Sequence, residues 1–203
     1  MLVSAPVKPL LAPALALFLL AGCGGDDDAE PGADAAGAQA DAGAADAGAS
    51  IDGGAGEDLD MQAADFGCIR DGTQVRSFFV TNPLGHLDEA LAVADSKSGG
   101  TYPVGTVIQL IPLEAMVKRR EGWDPSTGDW EFFSLSVAAT ETTILQRGGA
   151  DVQNSFGGNC FECHSMAAPQ WDLVCEDSHG CEPLGIPDEV IQSLQDGDTR
   201  CLE

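Results

Sequence analysis

The sequence predicts an α+β fold built mainly from an antiparallel β-sheet with a few helices. Strands are indicated by short segments rich in β-branched and aromatic residues, which turn residues such as those at 124–129 separate from one another. One helical segment lies between the first two of these strands. A second, short helix is expected at a Cys-x-x-Cys-His sequence near the C-terminus.

The predicted elements follow a simple order along the chain. A first strand at 74–82 is followed by a helix at 86–96. Three further strands are then predicted, at 105–113, 114–120 and 130–137. The short helix at 160–164 comes after a polar, glycine-containing segment, which is typical of a loop.

Residues 1–22 have the composition of a bacterial lipoprotein signal peptide. Lys8 supplies one positive charge ahead of an apolar run at 10–20, which is too short to span a bilayer. The sequence Leu20-Ala21-Gly22-Cys23 resembles a lipobox, whose cysteine is acylated and becomes the mature N-terminus. An ordinary signal peptide cleaved nearby is the alternative. Because Gly24 and not an aspartate follows the cysteine, we expect Cys23 to anchor the protein in the outer membrane, facing the periplasm.

Residues 23–60 are expected to form a disordered tether. Positions 24–60 contain 11 acidic residues and no lysine or arginine, and they are otherwise mostly alanine and glycine. Such a segment buries too little apolar surface to offset the entropy lost on ordering, and its charges repel one another. A lipid at one end and a tether of this length predict a domain held away from a membrane surface, with the lipid as its only membrane attachment.

Residues 61–203 are expected to form one domain with a single core. This part of the chain has 22 acidic and 8 basic residues, a formal charge of −14. Nucleic acid is therefore not an expected partner, since phosphate binding requires clustered basic residues. A redox partner protein with a basic surface is compatible with this charge.

The remaining cysteines are expected to be oxidised or bound to a cofactor, because export implies an oxidising compartment. If Cys160 and Cys163 hold a cofactor, the four others allow three disulfide connectivities. We favour Cys175–Cys181 around a short polar loop, and Cys68–Cys201 between the ends of the domain.

The sequence Cys160-Phe161-Glu162-Cys163-His164 predicts covalent attachment of one c-type haem. The two thiols add across the haem vinyl groups, and the adjacent histidine becomes an axial ligand of the iron. Three alternatives remain. Cys160 and Cys163 could bind zinc together with Cys175 and Cys181, they could form a thioredoxin-like redox pair, or they could form a plain disulfide.

The segments around this motif resemble a family of proteins. Their order along the chain is similar to that of cytochrome P-460 and its relative cytochrome c′-β, over about 100 residues. The segments concerned are VRSFFVTNP, YPVGTVIQLI, LEAMVKR, WEFF and NCFECH. The resemblance implies a β-rich haem domain in the periplasm, with a C-terminal helix carrying the haem, and a homodimer.

The resemblance also implies roles for individual residues. His164 would be the proximal ligand, Glu114 a distal carboxylate that accepts protons, and Arg76 an arginine near the haem. Leu110 stands where hydroxylamine-oxidising members have a lysine that crosslinks to the haem, so Leu110 would line the distal pocket instead. Phe132 and Phe133 point to opposite faces of a strand, and one of them could cover the open side of the haem.

Three functions follow as expectations. The first is a lipid-anchored cytochrome with an open distal site that binds nitric oxide or a similar small ligand. The second is an oxidoreductase acting on hydroxylamine or another small nitrogen compound, which the loss of the crosslinking lysine disfavours. The third is a six-coordinate electron carrier, whose sixth ligand would come from one of four residues: Met61, Met116, His86 or His179.

Overall fold

The computed structural model of the protein describes residues 56–201. The predicted signal peptide, Cys23 and most of the predicted tether therefore lie outside the described residues. The described part forms a six-stranded antiparallel sheet in which each strand pairs with its neighbour in sequence. The strands are β1 (Thr73–Val75), β2 (Phe78–Thr81), β3 (Val107–Gln109), β4 (Glu114–Lys118), β5 (Trp130–Ala138) and β6 (Glu141–Gly148).

Within residues 56–201, three α-helices and several single turns of 3-10 helix accompany the sheet. The α-helices are α1 (Leu87–Ala94), α2 (Cys160–His164) and α3 (Asp188–Asp196). The 3-10 turns are at Ala63–Asp65, Ile69–Asp71, Pro125–Thr127, Pro169–Trp171 and Thr199–Cys201. This arrangement agrees with the predicted α+β class with a mainly antiparallel sheet.

The first predicted strand, at 74–82, is in fact a hairpin. Val75 at the end of β1 pairs with Phe78 at the start of β2, so the chain reverses within two residues. Arg76 in this turn adopts a left-handed conformation with φ of 53°. A strand-like composition does not reveal such a reversal, because the residues on both sides of the turn are equally suited to a sheet.

Both faces of the sheet are covered. On one face, Ile108, Met116 and Phe132 pack against residues of α1 and against Cys160 of α2. On the other face, alternate residues such as Val117 and Phe133 pack against the N-terminal segment that contains Met61 and Phe66. Side chains alternate between the two faces along β4 and β5. One face therefore packs against the cysteine-containing helix, and the other packs against the N-terminal segment.

The N-terminal segment is bound to the sheet ahead of the boundary predicted at Met61. The guanidinium of Arg119 donates to Asp58 from Nε at 3.0 Å and from Nη2 at 2.9 Å. Arg119 also pairs with Glu131, and both residues are buried. The contacts of the folded domain thus begin within residues 57–60.

The described part of the chain contains two disulfides. Cys68 is bonded to Cys201, across a sequence separation of 133 residues, and Cys175 is bonded to Cys181. This is the pairing that the sequence favoured. Cys160 and Cys163 are the free cysteines of the described residues.

Candidate functional site

The helix α2 begins at a capped asparagine. Asn159 Oδ1 accepts a hydrogen bond from the backbone N–H of Glu162 at 2.8 Å, and Asn159 Nδ2 donates to the carbonyl of Ala150 at 2.7 Å. An asparagine in this position satisfies a backbone donor that would otherwise have no partner. Because Cys160 and Cys163 are three residues apart on a helix, they lie on the same side of it.

The two thiols differ in their surroundings. Cys160 is buried and Cys163 is exposed. Burial, with smaller contributions from Glu114 and Cys163, raises the pKa of the Cys160 thiol to about 12. The attacking cysteine of a redox pair needs a lowered pKa so that its thiolate is present, and Cys160 does not meet that need. The surroundings of Cys160 therefore do not favour a thioredoxin-like pair.

The imidazole of His164 is held in one orientation. Its Nδ1 lies 2.7 Å from the carbonyl oxygen of Leu173. Since a carbonyl only accepts hydrogen bonds, Nδ1 carries the proton and Nε2 has the lone pair. Burial lowers the pKa of His164 and so favours the neutral ring. A neutral imidazole with a free Nε2 is the form that ligates metals.

The two phenylalanines of β5 lie on opposite sides of the sheet, as predicted. Phe132 packs with its ring centroid 5.3 Å from that of His164 and 6.4 Å from that of Phe161. Phe133 packs against Phe66 on the other face, with centroids 5.1 Å apart. Of the two candidates, Phe132 is therefore the residue that contacts the Cys-x-x-Cys-His segment.

Leu110 and Met116 also belong to this side of the sheet. Leu110 is partly buried against the same apolar cluster that contains Cys160 and Phe132. Its carbonyl accepts a hydrogen bond at 2.7 Å from Gln195 of α3, which fixes the end of β3. Met116 is buried within this cluster. The surface that faces α2 is therefore mostly hydrocarbon.

Glu114 is the carboxylate nearest to this cluster along β4. Its Oε1 accepts a hydrogen bond at 2.8 Å from the backbone N–H of Ser155, in the loop that precedes α2. Burial raises the pKa of Glu114. Its charge also contributes to the raised pKa of Cys160, so the two side chains are close enough to interact. Glu114 thus lies at the edge of the site.

Arg76 makes its contacts elsewhere. Its guanidinium forms a two-pronged pair with the carboxylate of Glu176, and its Nη2 donates to the carbonyl of Ala94 at 2.9 Å. It joins the β1–β2 hairpin to α1 and to the disulfide loop at 175–181. These contacts support a structural role for Arg76, and they do not include His164 or the two free cysteines.

A further group of residues, which the sequence did not predict, supports the histidine. Lys118 Nζ lies 2.8 Å from both carboxylate oxygens of Asp172, the residue immediately before Leu173. Trp130 Nε1 donates to the carbonyl of Asp172 at 2.8 Å. Lys118 and Asp172 are 54 residues apart in the sequence, so no local pattern could have indicated this pair.

A zinc site built from four cysteines is not present, because Cys175 and Cys181 are bonded to each other. Within residues 56–201 one group of three possible metal ligands occurs, namely Cys68, Asp198 and Cys201. Its two cysteines are the partners of a disulfide, so it offers no thiolate to a metal. The zinc interpretation of the Cys-x-x-Cys-His segment is therefore wrong in this structure.

Three of the four candidates for a sixth iron ligand have side chains that are engaged in other contacts. Met61 is on the opposite face of the sheet. His86 Nε2 is 2.8 Å from Glu57 at the surface, and His179 is stacked on Trp171 with centroids 3.8 Å apart. Met116 is the candidate that shares a cluster with Cys160.

Among the helices of residues 56–201, none has the length and apolar composition needed to cross a membrane. Comparisons with protein-family models, curated proteins and solved structures gave no match to this chain.

Proposed function

We propose that the protein is an exported, lipid-anchored c-type cytochrome with one covalently attached haem and an open distal site. The proposal rests on two free thiols and on the orientation of the histidine that follows them. Cys160 and Cys163 are the free thiols of a described region whose other cysteines are in disulfides. Cys163 directly precedes His164, whose Nδ1 lies against the carbonyl of Leu173, so that the lone pair is on Nε2.

These residues fit a covalently bound haem. The thiols lie three residues apart on one helix, as thioether attachment requires, and Nε2 of His164 is the atom available for an axial bond. The hydrogen bond from Nδ1 to Leu173 is the kind of partner that orients ligating histidines in metalloproteins. When bound, the haem would supply an iron centre that changes oxidation state and binds small molecules.

The surroundings of the site favour a neutral ligand such as nitric oxide. Leu110, Phe132 and Phe161 present hydrocarbon to this region, and apolar side chains exclude water and do not stabilise ionic ligands. Three of the four possible sixth ligands have contacts elsewhere. Met116 is the remaining candidate, and we propose that it stays packed in the apolar cluster, which would leave the iron accessible to a small molecule.

Oxidation of hydroxylamine or a related nitrogen compound is the second candidate function. It is favoured by Glu114, whose raised pKa suits a group that accepts and releases protons. It is disfavoured by Leu110, which has no amine to crosslink with a haem. Lys118 does not replace the missing lysine, because its ammonium is bound to Asp172.

The location and partners are also part of the proposal. Acylation at Cys23 would place the protein in the bacterial outer membrane, with the acidic tether holding the haem domain on the periplasmic side. A redox partner would deliver electrons to the domain, and a homodimer is the assembly that the resemblance to cytochrome P-460 implies. Replacing Cys23→Ser should release the protein from the membrane fraction, and continued membrane association would contradict the assignment.

The decisive experiment for the haem is expression in a host with cytochrome c maturation. A pyridine haemochrome assay should find one c-type haem per chain, and the haem should stay attached after denaturation. The double variant Cys160→Ala, Cys163→Ala should be colourless, whereas Cys175→Ala, Cys181→Ala should retain haem. A colourless unmodified protein would refute the proposal.

Absorption spectra of the haem-loaded protein then separate the candidate functions. We expect a five-coordinate spectrum in both oxidation states, formation of a nitric oxide complex after reduction, and little turnover of hydroxylamine. Sustained hydroxylamine oxidation would establish the second candidate. A six-coordinate spectrum without added ligand would indicate an electron carrier, and loss of that spectrum in Met116→Leu would identify the sixth ligand.

A further inference from the structure

The carbonyl that holds His164 belongs to an unusual piece of backbone. Asp172 and Leu173 follow the 3-10 turn at Pro169–Trp171, and both have a left-handed conformation, with φ of 48° and 63°. Residues with a Cβ rarely adopt this conformation, and a bulky side chain such as leucine is especially disfavoured in it. Such a conformation persists only when surrounding contacts hold it in place.

Those contacts converge on Asp172 from three parts of the fold. Lys118 of β4 lies 2.8 Å from both of its carboxylate oxygens. The backbone N–H of Tyr102, ahead of β3, donates to Asp172 Oδ2 at 2.9 Å. Trp130 of β5 donates to the carbonyl of Asp172 at 2.8 Å. The side chain and the carbonyl of Asp172 are therefore both fixed to the sheet.

Lys118 is a buried cation whose main partner is Asp172. The residue is 6% exposed. Its ammonium donates to the two carboxylate oxygens of Asp172 and to the carbonyl of Gly128, each at 2.8 Å. It also lies 5.1 Å from the centre of the Trp130 ring. A charged group is rarely buried unless a partner of opposite charge is buried with it. Asp172 is that partner.

We propose that Lys118 and Asp172 are positioning residues for His164. By fixing Asp172 in its left-handed conformation, the pair aims the next carbonyl, that of Leu173, at Nδ1 of His164. This hydrogen bond keeps the proton on Nδ1 and leaves Nε2 free to bind the iron. The role of His164 as a ligand rests on the proposed function, whereas the effect of the pair on the histidine tautomer does not.

The tautomer of His164 can be measured in the absence of haem. The full chain, labelled with nitrogen-15 histidine, is exported by a host that lacks cytochrome c maturation, extracted in detergent and studied by NMR. We expect the Nδ1–H tautomer of His164 in the unmodified chain. The variants Lys118→Met and Asp172→Asn should shift the tautomer ratio towards Nε2–H by roughly three- to tenfold, the effect of losing one hydrogen bond. Lys97→Met, which removes an exposed lysine, is the matched control.

Two results would contradict the positioning role of Lys118 and Asp172. An Nε2–H tautomer in the unmodified chain would overturn it without any variant. A folded Lys118→Met or Asp172→Asn protein with the unmodified ratio would also overturn it. Asp172→Asn is the milder change, since asparagine has a similar volume and can still accept from Tyr102, but it loses the charge that pairs with Lys118. It decides the question if Lys118→Met does not fold.

The haem-loaded protein provides an independent spectroscopic measurement. Resonance Raman spectra of the reduced protein report the stretching frequency of the iron–histidine bond, which rises when Nδ1–H donates a strong hydrogen bond. We expect a lower frequency in Lys118→Met and Asp172→Asn and no shift in Lys97→Met. If the unmodified chain binds no haem, the proposed function fails, and the NMR measurement still tests the positioning role.

Discussion

The ring of Phe132 lies against the ring of His164, with centroids 5.3 Å apart and planes inclined by 51°. Phe132 is 2% exposed and lies near the start of β5, where it pairs with Met116 of β4. The contact joins the sheet to the helix that carries the two free cysteines. It also means that a change at Phe132 acts directly on the histidine, whereas a change at Phe133 acts on the opposite face.

Truncation of Phe132 should therefore affect both stability and the site. Phe132→Ala removes a fully buried ring, and we expect the free energy of unfolding to fall by about 3–5 kcal/mol. In haem-loaded protein the same variant should shift the Soret absorption and speed nitric oxide dissociation, because the space beside His164 opens to water. Urea denaturation and stopped-flow spectroscopy measure the two effects.

Phe133→Ala is the matched control, since Phe133 is also fully buried but packs against Phe66. It should lose a similar amount of stability and leave the Soret absorption and the dissociation rate unchanged. Equal spectral changes in the two variants would show that the face of the sheet does not matter. In that case the assignment of Phe132 to the site would be wrong.

Glu114 should make stability depend on pH. Burial is the main cause of its raised pKa, so the folded chain binds this proton more tightly than the unfolded chain does. The free energy of unfolding should therefore fall as pH rises from the ordinary glutamate pKa of about 4.3 through the raised value. Glu114→Gln should remove this decrease. Urea denaturation across this range measures the difference between the two proteins.

The glutamine variant keeps an acceptor for the backbone N–H of Ser155, so the loop before α2 should remain in place. Glu162→Gln changes an exposed carboxylate of α2 and serves as a control for the general effect of charge. If Glu114→Gln retains the pH dependence of the unmodified protein, the carboxylate is not buried in solution. Its proposed part in proton transfer would then lose its basis.

The sequence predicted the elements with strong local patterns and missed those that depend on distant partners. The four predicted strand segments correspond to β1 to β5, with β1 and β2 in one segment, and the helices α1 and α2 were also recognisable from composition and turns. The strand β6 was missed because its residues are mostly polar or exposed, with Leu145 pointing to solvent. The helix α3 was also missed. Its buried residue Gln195 is polar, and it is buried because it donates to the carbonyls of Ser77 and Leu110, which are distant in sequence.

In the candidate site, too, the local features were predicted and the contacts between distant residues were not. The spacing of Cys160, Cys163 and His164 is local, and it predicted a helix with both thiols on one side. The hydrogen bond from His164 to Leu173 and the pair of Lys118 with Asp172 depend on backbone conformation and on a separation of 54 residues. Neither could be derived without the folded structure.

Asp58 should stabilise the domain through its contacts with Arg119. This hydrogen-bonded pair is the main cause that lowers the pKa of Asp58 to about 2. The folded chain therefore binds the proton less tightly than the unfolded chain, so the stabilisation is present above the ordinary aspartate pKa of about 3.9 and is lost as pH falls through about 2. Asp58→Asn should cost about 1–3 kcal/mol at pH 7.

The difference between Asp58→Asn and the unmodified protein should shrink as the pH approaches 2, as urea denaturation at both pH values can show. The variant should also become sensitive to proteolysis near residues 57–60, since the segment loses its main attachment to the sheet. Asp71→Asn alters an exposed aspartate and should have neither effect. An equal loss at both pH values would indicate that the carboxylate charge is not the stabilising feature.

The two disulfides should contribute unequally to stability. Cys68–Cys201 closes a loop with a sequence separation of 133 residues, and Cys175–Cys181 one of 6 residues. In the chain-entropy model the longer loop restricts the unfolded chain more, so Cys68→Ala, Cys201→Ala should cost about 4–5 kcal/mol and Cys175→Ala, Cys181→Ala about 2 kcal/mol. Urea denaturation of the two double variants, made in the same background, measures both losses. With a reducing agent present throughout, the differences from the unmodified protein should largely vanish. If the short loop contributed as much as the long one, its bond would act through the folded state, where it flanks the Leu173 carbonyl that holds His164.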